Sequence, residues 1–102
     1  MSETNRKVFR SPEAQEDLLD IWHYGANEWS PEQADQHLRD IDNMCDRFRD
    51  DPKLGHKRDD LIPGLRSMYV RPHLIFYQTS AGAVTIVRVL HERFDAVMRF
   101  RR

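Results

Sequence analysis

The chain has a single cysteine, Cys45, among 102 residues, so no internal disulfide can form and a reducing cytoplasm is the expected compartment. No apolar run approaches the ~18 residues that a membrane helix needs, which excludes a helical span. The opening "MSETNRK" has no apolar segment behind its charges and is not expected to act as a secretory signal. Internal repeats and low-complexity tracts are absent. His23, His37, His56, His73 and Cys45 show no metal-ligand spacing, so neither a metal nor a cofactor is expected. No dense Lys/Arg cluster with interleaved aromatics occurs, and direct sequence-specific binding of nucleic acid is not expected.

What the chain does contain is charge, unevenly placed. A net charge of −1 hides a balance of −6 over residues 1–50 and +5 over residues 51–102. Such asymmetry marks either a partner-facing surface on the C-terminal half or two ordinary solvated faces. The length suits one domain, residues 1–102, near the lower limit for folding around a single core.

"KVFR" at 7–10 is short and β-prone. Ser11 and Pro12 then supply an N-cap and a first helical residue whose missing N–H costs nothing. Ala14, Leu18, Ile21, Trp22, Gly25 and Trp29 follow at helical spacing on one face. Ser30, Pro31 and Gln33 repeat the start signal as a capping-box pattern. Ala34, Leu38, Ile41, Cys45 and Phe48 form a second stripe with Met44 beside it, and Pro52 stops the helix. Two amphipathic helices with almost no linker predict an antiparallel hairpin, with Trp22 and Trp29 in its core.

After a loop over residues 53–64 come three β-prone runs, "LRSMYV", "HLIFYQT" and "VTIVRVL", separated by short turns. Gly64 and Gly82 read as turn residues, and the tail "DAVMRFRR" can form one helical turn. The expected fold is α+β, in the order β-α-α-β-β-β, an antiparallel sheet with the helical hairpin packed on one face. Strict alternation in the last strand sets Val84, Ile86, Arg88 and Leu90 against Thr85, Val87, Val89 and His91. Both faces are then apolar, but a two-helix hairpin covers only one. A protein partner is expected to cover the other, with the C-terminal tail as a partial substitute.

The strings "SPEAQEDLLDIWHY", "EQADQHLRDID", "DDLIPGLRSM", "HLIFYQ" and "IVRVLHERFD" together resemble the ParE-like toxins of the RelE/ParE superfamily, from about Val8 to Asp95. The resemblance implies the fold just described and a cytoplasmic toxin of a type II toxin–antitoxin pair. It further implies hetero-oligomeric binding to a ParD-like antitoxin, whose tail orders on the toxin, and DNA gyrase as the target. Candidate antitoxin contacts are Trp22, Trp29, Tyr69, Phe76 and Tyr77. Candidate target contacts are Arg66, Arg88, His91 and Arg93.

The alternative is the RelE-like branch, whose members cut mRNA on the ribosome. His91, Glu92 and Arg93 bring imidazole, carboxylate and guanidinium within three residues. Strand geometry, however, directs His91 and Glu92 to opposite faces and Arg88 away from His91. Against that branch, Leu74 and Glu92 stand where the nucleases carry catalytic arginines, and Met98 and Phe100 stand in the region of their tyrosine. No catalytic residue is therefore assigned. Arg88 is expected to pair with Asp17 or Asp20, and His91 to end its strand through a hydrogen bond. An attenuated binding module of the same fold is the third reading.

Overall fold

The computed structural model describes residues 6–94 and 96–100. Residues 1–5, on which the expectation about a secretory signal rests, and residues 95, 101 and 102 of the tail lie outside them. β1 (Lys7–Arg10) leads into α1 (Pro12–Glu28) and α2 (Pro31–Asp50). β2 (His56–Lys57), β3 (Arg66–Val70), β4 (His73–Ser80), β5 (Ala83–His91) and a short α3 (Ala96–Phe100) complete the order.

Both helix starts use the predicted chemistry. Ser11 Oγ accepts the Ala14 N–H at 3.0 Å, and Ser30 Oγ accepts the Gln33 N–H at 3.1 Å. Each satisfies one of the orphan donors at a helix N-terminus. The helices cross closely at Gly25, where an added Cβ would lie 3.3 Å from both the Ala34 methyl and the Trp29 ring. Trp29 departs from the expected hairpin core. The helix ends at Glu28, Trp29 takes non-helical angles as its cap, and half of its surface is exposed (50%).

The sheet has the order β1-β5-β4-β3-β2. It is antiparallel from β5 through β2, as expected, whereas β1 joins β5 in parallel with Val8 opposite Val84. The loop at 53–64 also contributes β2, a two-residue strand too short to show as a periodic pattern. Ala14, Leu18, Ile41, Cys45 and Phe48 of the hairpin pack on Ile75, Tyr77, Val84, Ile86 and Val89. Phe48 stacks on Tyr77 with ring centroids 3.8 Å apart. Gly64 and Gly82 have φ of +84° and +77°, the turn geometry glycine permits.

One irregularity changes the reading of β5. Consecutive residues Phe76 and Tyr77 pair with Arg88 and Ile86, so Val87 is the extra residue of a β-bulge. Beyond it the alternation is reset. Val89 joins Val84 and Ile86 in the core beneath the helices, while Leu90 and Val87 pack on the opposite face with Leu65 and Phe76. The grouping of Leu90 with Val84 and Ile86 therefore fails, because strict alternation assumes an unbroken pleat.

The second face is not bare. Leu61 and Ile62 of the loop, with Ala96 and Phe100 of α3, pack against it, and Phe100 meets Phe76 edge-on at 5.0 Å. The tail thus covers this face together with the loop, whose contribution the sequence did not suggest.

Candidate functional site

The bulge leaves backbone groups of β5 out of register, and α1 satisfies them. The Ser11 hydroxyl donates to the Val87 carbonyl at 2.7 Å while still capping the helix. One turn and a half further on, Asp17 receives two bonds from the Arg88 guanidinium, both 2.8 Å, and a third from the Val89 N–H at 2.9 Å. A forked guanidinium on a carboxylate is the strong form of this pairing. The Asp17 bonds raise the Arg88 pKa further above its ordinary value, against an opposing effect of burial. Arg88 therefore pairs with Asp17, the first of the two expected carboxylates.

Past the bulge, β5 lines a cavity of about 480 Å³ between α1 and the segment that follows the strand. Arg88 and His91 both face it, as do Glu16 and Asp20 from α1 and Phe94 and Arg99 from the C-terminal segment. The two nevertheless lie on opposite faces of the strand, as the alternation implies: past the bulge the register sets Arg88 beside Phe76, on the face of Leu90, and His91 beside His73, on the face of Val89. His91 ends its strand as expected, with Nδ1 accepting the Arg93 N–H at 3.1 Å.

A row of histidines runs into this cavity. His37 of α2 lies with Nε2 2.9 Å from His73 Nδ1, and the His73 and His91 rings are edge-to-face at 5.4 Å. His73 is 8% exposed. Burial, then the neighbouring His37 and His91, push its pKa down to about 4. Burial also lowers His37, with Asp40 opposing the shift. No group of three or more His, Cys, Asp or Glu residues among those described could hold a metal ion. The histidine row escaped the sequence reading because its members come from three separate elements; no local spacing signals it.

The remaining target candidates stand apart. Arg66 is half-buried at the start of β3, and its Nη1 donates to the carbonyls of Gly55 (2.7 Å) and Lys53 (3.3 Å), which ties down the preceding loop. Arg93 is exposed beyond the strand. Of the antitoxin candidates, Trp22 is half-buried and its indole donates to Asp35 at 2.7 Å. Trp29 shares a surface hollow with His37 and Arg71, and Tyr69 is exposed with the Arg71 guanidinium 5.0 Å from its ring centre. Phe76 and Tyr77 are fully buried and so present no surface to a partner in this conformation. Their aromatic side chains serve packing: Phe76 lies beneath the tail, and the Tyr77 hydroxyl bridges the Gly55 N–H and the Pro52 carbonyl.

As chemistry, the cavity sets the carboxylates Glu16, Asp17 and Asp20 against the guanidiniums of Arg88 and Arg99. Of these cations Arg88 is already paired with Asp17, and Glu16 and Asp20 add negative charge where a phosphate would approach.

Residues 8–96 match the family described as the ParE toxin of the type II toxin–antitoxin system, parDE. The chain belongs to the ParE toxin family. It is 38% identical over 86 residues to Toxin ParE1 of Mycobacterium tuberculosis, covering 83% of this chain and 88% of that one. Toxin ParE1 of Caulobacter vibrioides is 33% identical over 86 residues, covering 84% and 88%. A solved structure described as a chromosomal ParDE TA system from P. aeruginosa shares the fold, with a TM-score of 0.74 at 20% identity over 86% of this chain and 97% of that one. This ParE-family member is accordingly a toxin of a ParDE-type toxin–antitoxin system.

Proposed function

We propose that this toxin acts in the cytoplasm on DNA gyrase, without catalytic chemistry of its own, and is neutralised by a ParD-like antitoxin bound as a hetero-oligomer. Membership of the ParE family across residues 8–96 is the observation that carries this reading. The Asp17 clamp on Arg88 and the acidic wall beside it add support, since a ribosome-dependent nuclease needs free cations facing a scissile phosphate. As a proposal, residues 1–102 form one domain.

Two assays run side by side test the reading. Supercoiling by purified gyrase, with detection of trapped cleavage complexes, should show inhibition and linearised plasmid. Ribosome-dependent cleavage of a message should show none. Cut message with unaffected gyrase refutes the target; no effect in either assay assigns the chain to partner binding alone. Coexpression with the ParD-like protein encoded beside it should relieve growth arrest. Alanine at Arg88, His91 and Arg93 then tests the toxic surface, read as loss of toxicity with antitoxin binding kept.

A further inference from the structure

The cavity at the end of β5 has one acidic wall, supplied by α1 from the acidic half of the chain and set against β5 and the tail of the basic half. Glu16 and Asp20 stand there, both exposed, and neither enters a hydrogen bond or salt bridge among the described residues. The third carboxylate, Asp17, is occupied by Arg88 and the Val89 N–H. Glu16 acts on Arg88 through charge alone, behind the direct bonds from Asp17. Tyr24, one turn beyond Asp20, and Phe94 flank the opening with 63% and 52% of their surfaces exposed. No core requirement explains two aromatic rings at such exposure.

The chain supplies its own indication of what this surface accepts. Arg99 of α3 lines the same cavity and places its guanidinium 4.8 Å from the Phe94 ring centre. α3 is five residues long and has no fully buried residue; Ala96 and Phe100 pack it on the sheet, while Arg99 itself is exposed. A cation from elsewhere could take its position and gain, in addition, the unpaired carboxylates.

We propose that this cavity is the anchor site for a basic side chain, arginine above lysine, on the antitoxin segment that wraps the toxin. The inference rests on the antitoxin reading given above. Guanidinium suits the site because its plane stacks on an aromatic ring while its fork pairs with carboxylate. A side chain that fills a pocket of this kind is the usual anchor of a segment that orders on binding. Arginine displaces Arg99, packs between Tyr24 and Phe94, and pairs with Glu16 or Asp20.

The test uses the ParD-like protein encoded beside this chain, titrated calorimetrically against the full-length toxin and its Glu16→Gln/Asp20→Asn variant. Both changes keep side-chain size at exposed positions, and thermal unfolding followed by circular dichroism checks that the fold is unaltered. The variant should bind about tenfold more weakly at low salt, with the gap narrowing as salt rises. Replacing the tail arginines and lysines of the partner one at a time by glutamine should find one whose loss is not additive with the double variant. Unchanged affinity of the variant beside normal wild-type binding overturns this inference alone. A variant that binds antitoxin normally but has lost toxicity also overturns it, by giving the cavity to the target. A wild-type chain that binds no such partner overturns the antitoxin reading and the anchor site together.

Discussion

Substituting Asp17 should destabilise the fold more than substituting Arg88, although the two form one ion pair. The Arg88 and Asp17 side chains retain only 19% and 12% exposure. Removing one member of a buried pair costs roughly 3–5 kcal/mol, mostly because the other is left charged and unpaired. Some solvent still reaches this pair, which places Asp17→Ala near the lower end, about 3 kcal/mol. Asp17 has a further task, however, since its Oδ2 accepts the Val89 N–H next to the bulge. Alanine leaves that donor unmet at a further cost of about 1 kcal/mol. Arg88→Met spares the Val89 bond, because the carboxylate remains, and should cost about 1 kcal/mol less than Asp17→Ala. Asp17→Asn keeps an acceptor for Val89 but loses the charge and should fall between the two. Urea unfolding of the purified variants, followed by far-UV circular dichroism, ranks them by midpoint. If Asp17→Ala lies within about 1 kcal/mol of wild type, or Arg88→Met proves the more damaging, the clamp does not hold the bulge and the reasoning fails.

Three other outcomes are expected. His73 titrates near 4 when folded against 6.5 when unfolded, so the unfolded chain binds the extra proton first; stability should be constant above pH 6.5, fall by up to about 3 kcal/mol between pH 6.5 and 4, and level off below that for this group. The pH dependence of urea midpoints measures this, and His73→Phe should flatten the slope; an equally steep slope in that variant rejects the assignment. Gly55→Ala places a Cβ 2.8 Å from the Ser67 carbonyl oxygen and a Tyr77 ring carbon, and should cost about 2 kcal/mol or more by thermal unfolding; a melting temperature like wild type's rules out the close approach. Cys45, buried and with its thiol pushed up to about 12 chiefly by that burial, should react with a thiol reagent only at the unfolding rate; rapid labelling of the native toxin at neutral pH contradicts it.

The helices were legible in the sequence because their signals are local. Ser11-Pro12 and Ser30-Pro31 sit beside the stripes they introduce, and each serine caps its helix. The three long strands were legible for the same reason, as β-prone runs bounded by turns. Pairing across distance was not. β1 runs parallel to β5, with Val8 opposite Val84, and nothing in "KVFR" indicates its neighbour or its direction. Nor does β2 have the length to display a period. Trp29 matched a helical stripe by spacing alone, but helical spacing has no meaning beyond the residue at which the helix ends. Among the candidate contacts, Phe76 and Tyr77 illustrate a related limit. An aromatic run in a strand is the same sequence whether its second face is open or covered, and here a distant loop and the tail cover it.

The bulge at Val87 explains why Arg88 is held by α1 rather than free. An unbroken pleat would set Arg88 on the face of Val84 and Ile86; past the inserted residue it shares the face of Phe76 and Leu90, with His91 on the other. Asp17 of α1 takes the arginine, while Glu16 and Asp20 line the cavity beside it. A phosphate entering there would meet a guanidinium already neutralised and two carboxylates that repel it; a cationic side chain would meet the reverse. The same backbone irregularity that resets the strand also disarms the guanidinium, because the groups left out of register at the bulge are those that Asp17 and Ser11 satisfy. Fixing the strand to the helix and shaping a cation-accepting cavity are therefore consequences of one local feature, and a substitution that regularised β5 would be expected to remove both.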